Sequence, residues 1–410
     1  MTELRDCIVL AGPTLEPRRC ARFAWDDGRL TALELGDRVL AIEAGAWVVI
    51  PGLTNGHTHM GDSAFPDGAT GLTLEQGFFR PHGFKYRELA KLDRARHLPH
   101  VVAHMWYMAR TGTIRHLDFR EQGAYGSELL RAAAGETGVD AVILGQFTGV
   151  PFDEAELEAN TLPLPEEARR ELEAILAVAD GFSESTMNDL TDPAWRQIRE
   201  ETERRGKLRA IHCLESPAYR DVSLSRCGRG DLVRAIELYD PHIIVHLTVA
   251  NPEEIALLAA SGKTAVLNPR ANAALGLPPP PVRDLMEAGV NLLLGTDNGL
   301  LNSPNLFAEM DFTYKLAKSQ YGDAIRPDPT AILRMATVNV EPLGLAGAVS
   351  HLAVGAPASF VVLDFNQPHL RSSRHLPASI VTRVTPEDVL ATYRAGAPLY
   401  ASDRFHAPRR

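Results

Sequence analysis

Cysteine is scarce in this chain. There are four in 410 residues (Cys7, Cys20, Cys213 and Cys227), and none forms a Cys-x-x-Cys pair. That rules out a disulfide framework and argues against a structural zinc knuckle. Positive charge is also in deficit: Lys and Arg number 42 against 52 Asp and Glu, a net charge of −10. Nucleic acid and anionic membrane are therefore not expected partners, because neutralising phosphate needs an excess of Lys and Arg. No run of about 20 apolar residues occurs, so no membrane span is expected. The opening MTELRDCIVLAG lacks a basic head, an apolar core and a small-residue cleavage site. The expectation is a soluble cytoplasmic protein with reduced thiols. Several motifs are missing too. Without His-Glu-x-x-His, Gly-x-Ser-x-Gly, a P-loop or Gly-x-Gly-x-x-Gly, the common zinc-protease, serine-hydrolase, nucleotide and dinucleotide signatures are excluded. A His-x-Glu paired with Pro-Cys-x-x-Cys is likewise absent.

What is present is ordinary globular material, 45% apolar and 23% charged. The first 50 residues read as short strands: CIVLAG, RFAWDDGRLTALELG and VLAIEAGAWVVI, punctuated by Gly and Asp-Asp-Gly. The tail has the same character, with ASFVVLDFN as a strand and PASIVTRV as a candidate second one. From about residue 48 to 346 the pattern changes to short apolar runs alternating with helical stretches, the signature of repeated βα units. The runs are VVIPGL (48–53), TIRHLDF (113–119), DAVILGQF (140–147), GFSES (181–185), KLRAIHC (207–213), HIIVHL (242–247), TAVLN (264–268) and VNLLLGTD (290–297). Candidate helices between them are 86–110, 166–179, 192–205, 231–239, 252–260 and 282–288. Eight strands in this alternation predict an α/β fold, a (β/α)8 barrel over residues 51–349. Residues 1–50 and 350–410 would pair into a small flanking domain resembling a β-sandwich.

Barrel active sites lie at the C-terminal ends of the strands. Strand one ends in His57-Thr58-His59, strand five in His212-Cys213-Leu214-Glu215, strand six at His246 and strand eight at Asp297. Residues i and i+2 of a strand face one side, so His57 and His59 can meet one ion while Thr58 faces away. Three or four imidazoles with a carboxylate suit one divalent metal, Zn²⁺ or Fe²⁺. Any one of these histidines alone would be a weak signal. The ordered set, with each member at the end of an independently read strand, is a sharp one.

Those residues carry a resemblance. PGLTNGHTHMGD, AIHCLES, VHLTVANPEEIALLAASGKTAVLNPRANAALG, LLLGTDNG and ILRMATVNVEPLGL resemble the amidohydrolase superfamily, over roughly residues 45–365. Within it they are most similar to the branch of cytosine, guanine and adenosine/S-adenosylhomocysteine deaminases and triazine chlorohydrolases. The resemblance implies that His57, His59, His212 and Asp297 bind one metal. It implies that His246 contacts the water or developing oxyanion, that Glu215 shuttles a proton, and that Asp297 also deprotonates the water. Two departures stand out. Members with two metals carry a Lys at the end of strand four, whereas here the segment is GFSESTMNDL, which favours a single ion. Glu184, its only early carboxylate, is either a bridging ligand or a loop residue. The second departure is Ala358-Ser359-Phe360, where Ala-Asp-Leu is usual before the last strand.

Substrate contacts are sought at the same end of the barrel. Arg120 and Glu121 close strand two and are either salt-bridged structure or substrate contacts. Gln146 ends strand three, and its amide can read both a donor and an acceptor edge. Arg270 follows strand seven, between Asn268 and Asn272. The long connection after strand one either folds over the site, with Lys85 or Arg80 reaching in, or leaves both in solvent. Arg120, Lys85 and Arg270 together suggest an anionic group on the substrate. His100 and His104, four apart on an outer helix, cannot reach the strand ends.

The favoured function is hydrolytic deamination of a heterocyclic, nucleobase-, nucleoside- or amidine-like small molecule by water activated on the metal. Ring-opening hydrolysis of a cyclic amide or imide is the alternative, and a non-catalytic scaffold the third reading. Zn²⁺ is preferred over Fe²⁺, and a homo-oligomer, a dimer first, is the default assembly.

Overall fold

The computed structural model describes residues 2–345 and 349–406. Position 346, where the alternation was expected to stop, and the extreme termini lie outside them. Four strands open the chain: β1 (Thr2–Ala11), β2 (Glu16–Asp26), β3 (Arg29–Arg38) and β4 (Trp47–Pro51). Nine follow: β5 (Leu53–His59), β6 (Thr113–Arg120), β7 (Asp140–Gly145), β8 (Gly181–Glu184), β9 (Leu208–Cys213), β10 (Ile243–His246), β11 (Thr264–Leu267), β12 (Asn291–Leu294) and β13 (Asp297–Asn298). Three close it: β14 (Phe360–Asp364), β15 (Val389–Arg394) and β16 (Ala397–Ala401).

The middle strands form one parallel sheet in the order β12-β11-β10-β9-β8-β7-β6-β5-β13. Its two ends are the same stretch of chain. Residues 291–294 pair with β11, and two residues later Asp297 and Asn298 pair with β5. Between them Gly295 N–H donates to Leu267 O and Thr296 N–H to His57 O. Period-two alternation explains why a parallel sheet forms here. Val142 and Leu144 of β7, Ile243 and Val245 of β10 and Leu293 of β12 share an inner cluster. Ile143, Ile244, Leu292 and Leu294 face the helices in the main core.

The terminal strands form a separate seven-stranded sheet, β16-β15-β14-β4-β1-β2-β3. It too alternates. Ile8, Leu10, Val48, Ile50, Val361 and Leu363 join the main core, while Cys7, Val9, Phe23, Trp25, Val49, Phe360 and Val362 form a second cluster. Phe23 and Phe360 meet with ring centroids 4.8 Å apart, although β2 and β14 are three places apart in the sheet. A flat sheet would separate those strands by about 14 Å, so this sheet curls back over its aromatic face.

Six of the eight expected parallel strands begin and end within two residues of their expected positions, and the last, expected over 290–297, is interrupted at Gly295-Thr296. Strand one differs more. VVIPGL is divided at Gly52: β4 belongs to the terminal sheet, and the parallel sheet starts at Leu53. A Cβ on Gly52 would collide with Ile114, so only glycine passes between the sheets here. PASIVTRV, expected as a strand, is the helix Leu376–Arg383. Its β-branched residues suggested a strand, but Leu376, Ser379 and Ile380 are buried at helical spacing, Pro377 sits in the first turn, and His375 caps Ala378 N–H. The expected 86–110 helix is two, Phe84–Leu89 and Arg94–Arg110, with Asp93 capping the second. Helices Gly123–Thr137, Pro217–Cys227, Leu306–Tyr321 and Pro329–Met335 were not anticipated. Among the described residues no helix is long and apolar enough to cross a membrane.

Candidate active site

Six side chains from four strand ends converge: His57 and His59 from β5, His212 and Glu215 at and after β9, His246 from β10 and Asp297 from β13. All six are buried. Thr58 points the other way, donating to Asp118 Oδ2 at 2.7 Å and contacting His116 Nδ1 at 2.8 Å. His246 is the exception to alternation. Val245 lies in the inner cluster, so a regular strand would turn residue 246 to the helices. A φ of +79° at His246 turns it inward, and Asp297 is also left-handed at +63°. Such backbone costs about 1–3 kcal/mol per residue and clusters at functional sites.

The ligand side of the site is set by acceptors. His59 Nδ1 lies 2.6 Å from Glu121 Oε1, and His212 Nδ1 lies 2.8 Å from the Glu184 carbonyl. Each Nδ1 must donate, so each Nε2 carries a bare lone pair. Those two Nε2 atoms are 3.3 Å apart. Asp297 Oδ1 lies 3.7 Å from His59 Nε2 and 3.1 Å from His57 Nε2. Lone pairs and a carboxylate oxygen so close together repel unless a cation sits among them. Burial pushes His57 down to about 3 and, with the neighbouring imidazoles, holds His212 well below the usual range. Burial raises the Asp297 carboxyl, but the His57, His246 and His59 imidazoles beside it together outweigh burial and hold it well below the usual carboxylate range. Burial and Lys85 lower His59, but the Glu121 and Asp297 carboxylates outweigh them and raise it. A divalent ion binds neutral imidazoles and an ionised carboxylate, so this donor set fits one that would displace any extra proton from His59.

The opposite side is set by donors. His246 Nδ1 faces the amide nitrogens of Asn268 at 3.3 Å and Asn272 at 3.1 Å. An amide nitrogen only donates, so Nδ1 accepts and Nε2 bears the proton. That Nε2 lies 3.7 Å from Glu215 Oε1. The other carboxylate oxygen of Glu215 accepts from Tyr219 Oη at 2.7 Å. Tyr219 was not anticipated. It stands four residues after Glu215, on a helix that the sequence reading had not recognised; the Ser216-Pro217 start was its signal.

The connection after β5 folds over the site and brings two cations with it. The buried Lys85 pairs with Glu121 and lies 3.7 Å from Asp62 Oδ2. Arg80 pairs with Glu184 and Asp189 and donates to the Phe147 carbonyl at 3.1 Å. Glu184 accepts from Phe147 N–H as well, so its carboxylate is turned to the lid, while its carbonyl orients His212. Glu121 likewise holds His59. Arg120 is wholly buried and donates to the Gly126 carbonyl, Glu121 and Gln122. Arg270 lies 3.7 Å from the buried Glu309. Gln146 is buried with neither amide atom paired. None of Arg120, Glu121, Gln146 and Arg270 lines the cavity over the strand ends, which measures about 30 Å³. Its walls include His59, Lys85, His212, Glu215, His246 and Asp297. The three expected anion-binding cations therefore face protein carboxylates. His104 is half-buried on the outer helix and contacts the His100 carbonyl.

Several known proteins are similar to this chain over most of its length. A putative aminohydrolase of Methanothermobacter thermautotrophicus is 35% identical over 367 residues, covering 89% of this chain and 91% of that protein. A 5-methylthioadenosine/S-adenosylhomocysteine deaminase of Syntrophobacter fumaroxidans is 30% identical over 84% of this chain and 80% of that one. The structure of an adenosine deaminase from Xanthomonas campestris with bound zinc superposes with a TM-score of 0.82 at 20% identity, covering 97% and 92% of the two chains. Residues 48–398 match the Amidohydrolase family, and the chain belongs to that family of hydrolases acting on carbon–nitrogen bonds other than peptide bonds.

Proposed function

We propose that this chain is a metal-dependent aminohydrolase that releases ammonia from an amino-substituted heterocyclic small molecule. The domain reading proposed with it is a (β/α)8 barrel over 51–349, with 1–50 and 350–410 as a sandwich-like domain. The meeting of the parallel sheet's two ends and the curl of the terminal sheet support that division. The proposed ligands are His57, His59, His212 and Asp297, for one Zn²⁺. Three imidazoles and a carboxylate suit that ion, and the Xanthomonas neighbour carries zinc. The carboxylate of Glu184, committed to Arg80 and Phe147 N–H, favours a single ion over a bridged pair.

One observation carries the reaction assignment: a buried carboxylate, Glu215, is held by Tyr219 Oη on one oxygen and faces His246 Nε2 with the other. A divalent ion held by His57, His59, His212 and Asp297 would make water acidic enough to lose a proton near neutral pH. Glu215 accepts a proton as water adds to the sp² carbon and delivers it to nitrogen. The C–N bond then breaks with ammonia, not an amide anion, as the leaving group. His246 Nε2–H faces the oxygen on which charge develops. Asp297 offers a second proton acceptor on the water's side. Gln146, buried outside the cavity with its amide unpaired, is proposed with Arg120, Glu121 and Arg270 to shape the protein around the substrate and not to touch it.

The test is ammonia release from a panel of aminopurines, aminopyrimidines and aminotriazines by metal-replete protein. One ammonia and one keto product per turnover are expected. Turnover of a cyclic amide with no ammonia released would overturn the assignment.

A further inference from the structure

The cavity over the strand ends holds about 30 Å³, too little for a heterocycle with substituents. A second cavity of about 320 Å³ lies against it, and the two share Phe78, Ser185 and Tyr219 as walls. The larger one is lined by Phe78, Phe79, Phe152, Leu157 and Val222, contributed by the lid, the segment after β7 and the helix Pro217–Cys227. Phe79 and Val222 are 37% and 36% exposed, so they are not spent on the core. The charged groups that line this cavity are paired: Arg80 with Asp189, and with Glu184 outside it, and Arg226 with Glu154. No lining cation is left over to hold an anion.

Resting on the aminohydrolase reading, we propose that this slot is a substrate subsite for an uncharged apolar substituent. The substrate class is then an aminated heterocycle bearing an alkyl or aromatic tail. The amino carbon lies at Glu215 and His246, and the tail passes Phe78 and Tyr219 into the slot. Tyr219 has a double part. Its hydroxyl holds Glu215, and its ring, 6.3 Å from that of Phe79, forms the wall between the two chambers. A tail in the slot thus presses on the residue that positions the proton carrier. The expectation of an anionic substrate gives way to this one, because Arg120 and Lys85 are taken up by protein carboxylates.

The test uses adenine, guanine and cytosine series carrying methyl, butyl, hexyl, benzyl or ω-carboxypentyl groups on the ring nitrogen, with ammonia as the readout. In the series that turns over, kcat/KM should rise about three- to fourfold per methylene until the slot fills. Hexyl should exceed methyl by at least about 30-fold, and the ω-carboxylate should forfeit most of that gain. Val222→Asp, on a half-exposed helix position, should cut the hexyl-to-methyl ratio at least about tenfold, with an unchanged thermal melt reporting the fold. Phe152→Ala should do the same from the other wall. Ammonia release with no dependence on the tail, or with preference for the carboxylate, overturns the subsite alone. No ammonia from any series overturns the aminohydrolase reading together with it.

Discussion

The two sides of the strand-end cluster treat the same side chain in opposite ways. On the β5 and β9 side, the protein accepts a hydrogen bond from Nδ1 of His59 and His212, through Glu121 and the Glu184 carbonyl. On the β10 and β11 side it donates to Nδ1 of His246, through Asn268 and Asn272. Three imidazoles alike in the sequence are thereby sorted by their neighbours. Two present lone pairs to the centre and suit a metal; one presents a proton and suits the reacting oxygen. The environment of the far nitrogen, not the identity of the residue, decides whether a histidine is a ligand or an acid.

This contrast can be broken at several points. The largest effect is expected from His57→Ala, which should lose the metal and all detectable ammonia release together, read by elemental analysis and assay. Next is Glu215→Gln. It should keep the metal and the thermal melt, yet lower kcat at least about a hundredfold. A change in KM alone would place Glu215 in binding only. Glu121→Gln disturbs the ligand side from behind, and metal affinity measured by chelator competition should weaken about 10–100-fold. Asn272→Ala disturbs the other side. With Asn268 still donating, kcat should fall about tenfold and metal affinity should hold. If Asn272→Ala released metal and Glu121→Gln did not, the two sides would be wrongly assigned.

Much of this was legible in the sequence because parallel strands are written as apolar runs and their C-terminal ends are marked by polar residues. His57, His59, His212, Glu215, His246 and Asp297 all emerged that way, and they do meet. The chain crossing at Gly52 was hidden, since one apolar run feeds two sheets. The helix 376–383 was hidden by its β-branched residues. The tasks of Glu121, Lys85 and Arg80 were hidden for a different reason. Each depends on a partner far away in the chain: Lys85 on Glu121, and Arg80 on Glu184. A charged residue at a barrel mouth reads as a substrate contact until its counter-charge is located. Tyr219 was missed because the helix carrying it, short and begun by Ser-Pro, has a weak apolar stripe.

The most direct test of the sorting is the metal content of purified His246→Ala beside the wild type. Each should hold about one equivalent, while His246→Ala has lost turnover. Loss of the ion from His246→Ala would make that histidine a ligand, and two equivalents in the wild type would show that the single-ion centre is wrong.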